Sequence, residues 1–118
     1  MSRRFGGKGD EAPLSVARDP SGNILLGGFT SKSIDFGTGQ LMSAGGHDGF
    51  LAKLTAAGDG TWARLLGDAS FYQEVAAVAV DANGNVLAAG AFSGAMDFGS
   101  LPLQSAGATD AFVAKYPP

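Results

Sequence analysis

The sequence predicts an all-β protein built from two copies of one antiparallel unit. Three observations carry that expectation: an internal repeat, abundant glycine between short apolar runs, and the lack of any capped helical periodicity. Offset by 62 positions, residues 12–54 align with 74–116 without a gap, and 19 of the 43 pairs are identical. An ungapped match of that length marks a duplicated structural unit. The 118 residues include 19 glycines and are 45% hydrophobic, which fits many tight turns joining short strands.

The elements follow in chain order. "LSVARD" (14–19) and "AVAVD" (77–81) are short valine-bearing strands that run into Asp-x-x-Gly-Asn. Gly22 and Gly84 supply the positive φ of a tight hairpin, and the aspartate can bond back to turn amides. "ILLGGF" (24–29) and "VLAAGAF" (86–92) are apolar without alternation, so each is expected to be buried on both faces. Their small residues imply a close approach of neighbouring sheets. A Ser-, Gly- and Thr-rich insert of about 17 residues follows (31–47 and 93–109), and then a third strand, "DGFLAKL" (48–54) or "DAFVAKY" (110–116). "TWARLLG" (61–67) is the fourth, with Trp62 and Arg64 on one face and Ala63 and Leu65 on the other.

Four antiparallel strands in a unit of some 60 residues, repeated and buried on both faces, describe a blade of a β-propeller. The motifs "VAVDANGNVLAAGAFSGAMDFG", "LQSAGATDAFVAKY" and "GTWARLLG" moreover resemble the bacterial seven-bladed β-propeller (SBBP) repeat. The similarity covers nearly the whole chain as two copies, where the family's arrays hold many. It implies a propeller fold and a bacterial surface or secreted setting, and it carries little chemistry.

The strand inventory then raises a closure problem. Residues 1–7 read as an outer strand without its blade, residues 12–67 as a first blade, and residues 74–118 as a second blade without its outer strand. Two blades leave apolar faces and open edges in water, which argues for assembly. The expected fold is therefore an all-β propeller with two four-stranded antiparallel blades per chain. Homo-oligomerisation closes the ring, and the N-terminal strand completes a neighbour's blade. Arg3, Arg4 and Phe5 supply that strand; Phe112, Ala114 and Tyr116 lie on the strand that receives it. Propellers have 4 to 8 blades, so a tetramer with eight blades is the first expectation and a trimer with six the next.

Composition narrows the partners. Eight Lys and Arg against 11 Asp and Glu give a net charge of −3, which does not make a nucleic-acid surface. There is no cysteine, hence no disulfide and no thiolate metal site. No run approaches the roughly 18 apolar residues of a membrane-spanning helix, and no signal-peptide pattern opens the chain. The expected partner is the chain itself, without nucleic acid, membrane or cofactor.

Candidate chemistry is sparse. Asp-Phe-Gly at 35–37 and 97–99 lacks every companion motif of a kinase; Phe36 and Phe98 are expected to pin the inserts onto the sheets. Asp81, Asn83 and Asn85, like Asp19, Ser21 and Asn23, imitate the start of a calcium loop. Phe92 and Thr30 stand where its bidentate acid would be, and turn chemistry explains both copies. His47 is the only histidine, with Asp48 its one obvious neighbour, and is expected in a loop. Phe71 and Tyr72 share the insert-bearing face, where adjacent aromatics either bind a sugar or peptide or cover the seam between blades. The function expected is that of a non-enzymatic, self-assembling propeller fragment, natural or engineered, with a scaffold role. The rival is a multivalent carbohydrate- or peptide-binding module using Phe71, Tyr72 and His47.

Overall fold

The computed structural model describes residues 1–67, 72–96, 98 and 103–118, and those residues form antiparallel strands and no helix. In the first copy, β1 (Glu11–Arg18) and β2 (Ile24–Thr30) are joined by the Asp-x-x-Gly-Asn turn. The insert carries a small hairpin of β3 (Ser33–Asp35) and β4 (Gln40–Met42); β5 (Asp48–Leu54) and β6 (Gly60–Leu66) follow. These make a four-stranded sheet in the order β1-β2-β5-β6, with β3-β4 apart from it. The second copy repeats the plan with β7 (Tyr72–Val80), β8 (Val86–Ser93), β9 (Ala95–Met96), β10 (Leu103–Gln104) and β11 (Asp110–Tyr116). Its main sheet has three strands, in the order β11-β8-β7.

Register repeats as the sequence does. Gly28 stands opposite Phe50 in the first sheet, and Gly90 opposite Phe112 in the second. A bulge interrupts β1 between Pro13 and Ser15, and another interrupts β7 between Val75 and Ala77. Each bulge sets one extra residue into an edge strand of its sheet and switches which face its side chains point to. The turn glycines Gly22 and Gly84 have φ of 89° and 83°.

Because 62 is even, residue parity marks the same face in both copies. The even face of the first sheet carries Ile24, Leu26, Phe50, Ala52 and Leu54, joined from β6 by Ala63 and Leu65. Ile34 and Phe36 of the insert pack on it. Leu25 and Leu51, with Trp62 and Leu66 from β6, point the opposite way. That odd face packs on the even face of the second sheet, where Val86, Ala88, Phe112 and Tyr116 wait with Met96 and Phe98. One cluster therefore fills the seam between the sheets, and an equivalent one is built on the outer side of the first sheet. Gly27 and Gly49 let the sheets approach: a Cβ on Gly27 would meet Val75 Cγ1 at 2.5 Å and Val78 Cγ1 at 2.9 Å. The Val78 amide donates to Ser15 Oγ across the same seam at 3.1 Å.

The expected β5 and β11 match the structure residue for residue, β2 and β8 extend one residue further, and Trp62 and Arg64 do share one face of β6. Two features differ from expectation. The inserts contain hairpins of their own, and β1 and β7 start earlier than their apolar runs, because main-chain pairing with β2 and β8 carries them back to Glu11 and Tyr72. Residues 1–7 make no strand within the chain. The first sheet already has β6 as its outer strand, which leaves them no ladder to join there.

Candidate functional site

The candidate site is the pair of surfaces that this arrangement leaves open. β11 hydrogen-bonds β8 on one side, and among the described residues no strand covers its other edge. In the first sheet the equivalent strand, β5, is flanked by both β2 and β6, and all seven of its residues are buried. On β11 burial alternates instead. Phe112 and Tyr116 are buried in the seam and Ala114 half-buried, while Val113 is 72% exposed. The side chains of the expected closure residues Phe112, Ala114 and Tyr116 are thus turned to the first sheet. What they leave open is the backbone edge and the odd face beside it.

The N-terminal arm lies on the opposite side of the chain. Phe5 packs on the outer cluster, its ring 5.0 Å from that of Phe36, which is 5.1 Å from Phe50. Arg3 pairs with Asp59 at 3.0 Å; both are exposed, so the pair adds little by itself. Arg4 and Phe5 wall an apolar hollow of about 420 Å³ whose floor includes Pro13, Leu26 and Phe50. Arg3 and Phe5 repeat Arg64 and Leu66 at an offset of 61. Leu66 packs into the inner seam as Phe5 packs into the outer cluster, and Arg64 lies 4.6 Å from the centroid of Tyr116. Phe5 therefore sits on the first sheet as Leu66 sits on the second.

The candidate ligand residues meet at the inner seam. His47 lies tilted against Phe29, ring centroids 3.7 Å apart, and stacks on Tyr72 at 5.1 Å. The Tyr72 hydroxyl donates to Glu74, and that bond, ahead of burial and the Glu74 charge, pushes the phenol up to about 12. The His47 carbonyl accepts the Gln73 amide at 2.8 Å. These contacts tie the first insert to the second sheet, so Tyr72 and His47 cover the seam. Phe71 lies outside the described residues. Phe29 escaped the sequence reading because it sat in an apolar strand; its signal is that Phe29, His47 and Tyr72 face Ala91, Thr109 and Asp10 in the other copy.

The paired turns are built for themselves. Asp19 Oδ1 accepts the Ser21 and Asn23 amides at 2.9 and 2.8 Å, and Oδ2 accepts Asn23 Nδ2 at 2.8 Å and pairs with Lys53 Nζ at 3.1 Å. Asp81 repeats every bond with Asn83, Asn85 and Lys115. Both oxygens of each carboxylate are occupied, with a lysine ammonium against Oδ2. Among the described residues no cluster of three His, Cys, Asp or Glu could hold a metal, and no helix is long and apolar enough to cross a membrane. Phe36 is 2% exposed, and Asp35 Oδ1 accepts the Gly37 and Gly39 amides, so Asp-Phe-Gly pins and turns the first insert. Asp97 and Gly99 of the second copy lie outside the described residues.

The Asn23 and Asn85 side chains, opposed by burial and helped by turn amides and the lysines, hold Asp19 and Asp81 at about 2. A depressed carboxyl stabilises the fold above its unfolded value near 3.9, and that contribution is lost as pH falls toward 2. Melting temperature should therefore drop between pH 4 and pH 2, and Asp19→Asn with Asp81→Asn together should flatten that drop. At pH 7 Asp19→Asn should lower the melting temperature more than Asp81→Asn. Its partner Lys53 has an 11% exposed side chain, whereas that of Lys115 is 59% exposed and stays hydrated. Equal melting temperatures for the two variants would contradict this.

The chain matches no family model and no curated protein.

Proposed function

We propose that this chain is a non-enzymatic, self-assembling structural protein. In this reading it is a β-propeller fragment whose copies join head to tail into a closed ring. Residues 1–7 of each copy complete the second sheet of the one before it. The observation that carries the reading is the edge of β11 that no described strand covers, together with the arm, whose Phe5 sits in the outer cluster as Leu66 sits in the inner one. An open edge beside an exposed apolar face is a liability that assembly removes. A ring of identical heterologous junctions closes without leaving a free edge. The resemblance to the SBBP repeat supports blades as the units, with four chains and eight blades expected first and three chains and six blades next.

Light scattering on the intact chain should give three or four times its 11.8 kDa. Removal of residues 1–7 should return the mass to a single chain, because each junction loses roughly six main-chain hydrogen bonds, at about 1 kcal/mol each. A monomeric intact chain at micromolar concentration would overturn the reading, as would a truncated chain that keeps the full mass.

A further inference from the structure

Resting on the ring reading, we infer that the junction between copies is a second version of the inner seam, in the same register. The odd face of one copy's second sheet docks on the even face of the next copy's first sheet. Val16 of the second chain seats on Ala89 of the first, and Val113 enters the hollow beneath the arm.

The argument starts from what the inner seam buries. On its one side Leu25 and Leu51 are 0% exposed, and Val78 covers Gly27 from the other. Moving 62 residues along the chain turns Leu25 into Leu87, Leu51 into Val113 and Gly27 into Ala89; moving back turns Val78 into Val16. Of these counterparts Leu87 and Ala89 are half-buried, and the two valines stand out into water. Val16 is 66% exposed and Val113 72% exposed, although each sits at a position that is filled or covered in the other copy.

The receiving surface is also preserved. With Glu11 and the arm's own arginines at its side, the apolar part of the hollow under the arm is formed by Pro13, Leu26, Ile34, Phe36 and Phe50. Their counterparts Val75, Ala88, Met96, Phe98 and Phe112 make the surface on which Leu25 and Leu51 pack. The inner seam thus shows what fills such a hollow: the odd face of a preceding sheet. A second copy of this chain carries that face in Leu87, Ala89 and Val113. Side-chain size shifts in compensation, because the smaller Val113 replaces Leu51 while Ala89 and Ala111 replace Gly27 and Gly49. The aromatic stack of Phe29, His47 and Tyr72 has no counterpart in Ala91, Thr109 and Asp10, so the inner seam alone carries that lock.

The absence of cysteine makes the register directly measurable. In the inner seam a Cβ at residue 27 would lie 2.9 Å from Val78 Cγ1, which puts the two Cβ atoms within reach of a disulfide. Val16→Cys and Ala89→Cys chains, reduced, refolded together and oxidised, should yield at least tenfold more linked dimer on a non-reducing gel than either alone. Light scattering on the same samples reports assembly separately. Full assembled mass without the cross-link would sink the seam and leave the ring reading standing. Cross-linking of Ala89→Cys by itself would mean that the face meets its own copy, and would also overturn the inference. A monomeric mass would remove both readings together.

Discussion

Alanine at Gly28 should destabilise the fold by about 3 kcal/mol, a large share of the roughly 5–15 kcal/mol that holds a domain folded. The added methyl would run into the Ala12 carbonyl oxygen and meet Phe50 Cζ at 2.8 Å. The carbonyl belongs to β1 and cannot retreat without opening its pairing with β2, and Phe50 is packed at 2% exposure. The repeat makes its own control. Gly90→Ala would collide with the Glu74 carbonyl oxygen and with Phe112 Cε1 at 3.0 Å, so it should cost a similar amount. Gly107→Ala meets nothing nearer than Asp110 Oδ1 at 3.9 Å and should stay within about 0.5 kcal/mol of the parent. Urea titrations followed by circular dichroism, all at one protein concentration, would measure all three. A Gly28→Ala protein that unfolds at the parent's midpoint would refute the steric argument.

Truncation of Phe36 to alanine should be as damaging, by about 3–5 kcal/mol, because it leaves a cavity the size of an aromatic ring. Phe36 is 2% exposed and links Phe5 to Phe50, so its loss removes the insert's anchor and the seat of the arm at once. Phe98→Ala removes the equivalent ring, 4.9 Å from Phe112, but Phe98 is only partly buried and its loss should cost less. Under the ring reading the two variants also separate in assembly. Phe36→Ala should lower the mass measured by light scattering at concentrations where the protein remains folded, and Phe98→Ala should not. Identical effects of the two on both readouts would argue against a role for Phe36 in seating the arm.

Much of this architecture is legible in the sequence. The Asp-x-x-Gly-Asn turns announced themselves because the aspartate and the positive-φ glycine do local work that needs no tertiary context. The small hairpins β3-β4 and β9-β10 were not legible, since strands of two or three residues inside a Ser- and Gly-rich stretch carry no period to detect. The buried Asp19–Lys53 pair was missed although both residues recur in the second copy as Asp81 and Lys115. A repeated acid and a repeated base, among few repeated charges, were the available signal. Phe29 was hidden for a different reason: an aromatic in an apolar strand looks like core until a partner ring is found across the seam.

By itself the sequence determined the duplication, the all-β class, the turns and the order of the main strands, because each of these is written in local chemistry or in self-similarity. Only the tertiary structure decided what the two copies do differently. β5 and β11 share one pattern, yet β5 is buried along its whole length and β11 shows every second residue to water. The difference comes from neighbours: the first sheet has β6 at its edge and the second sheet against its odd face, and among the described residues the second sheet has neither. Burial is a property of what stands opposite a strand, and no strand encodes that alone.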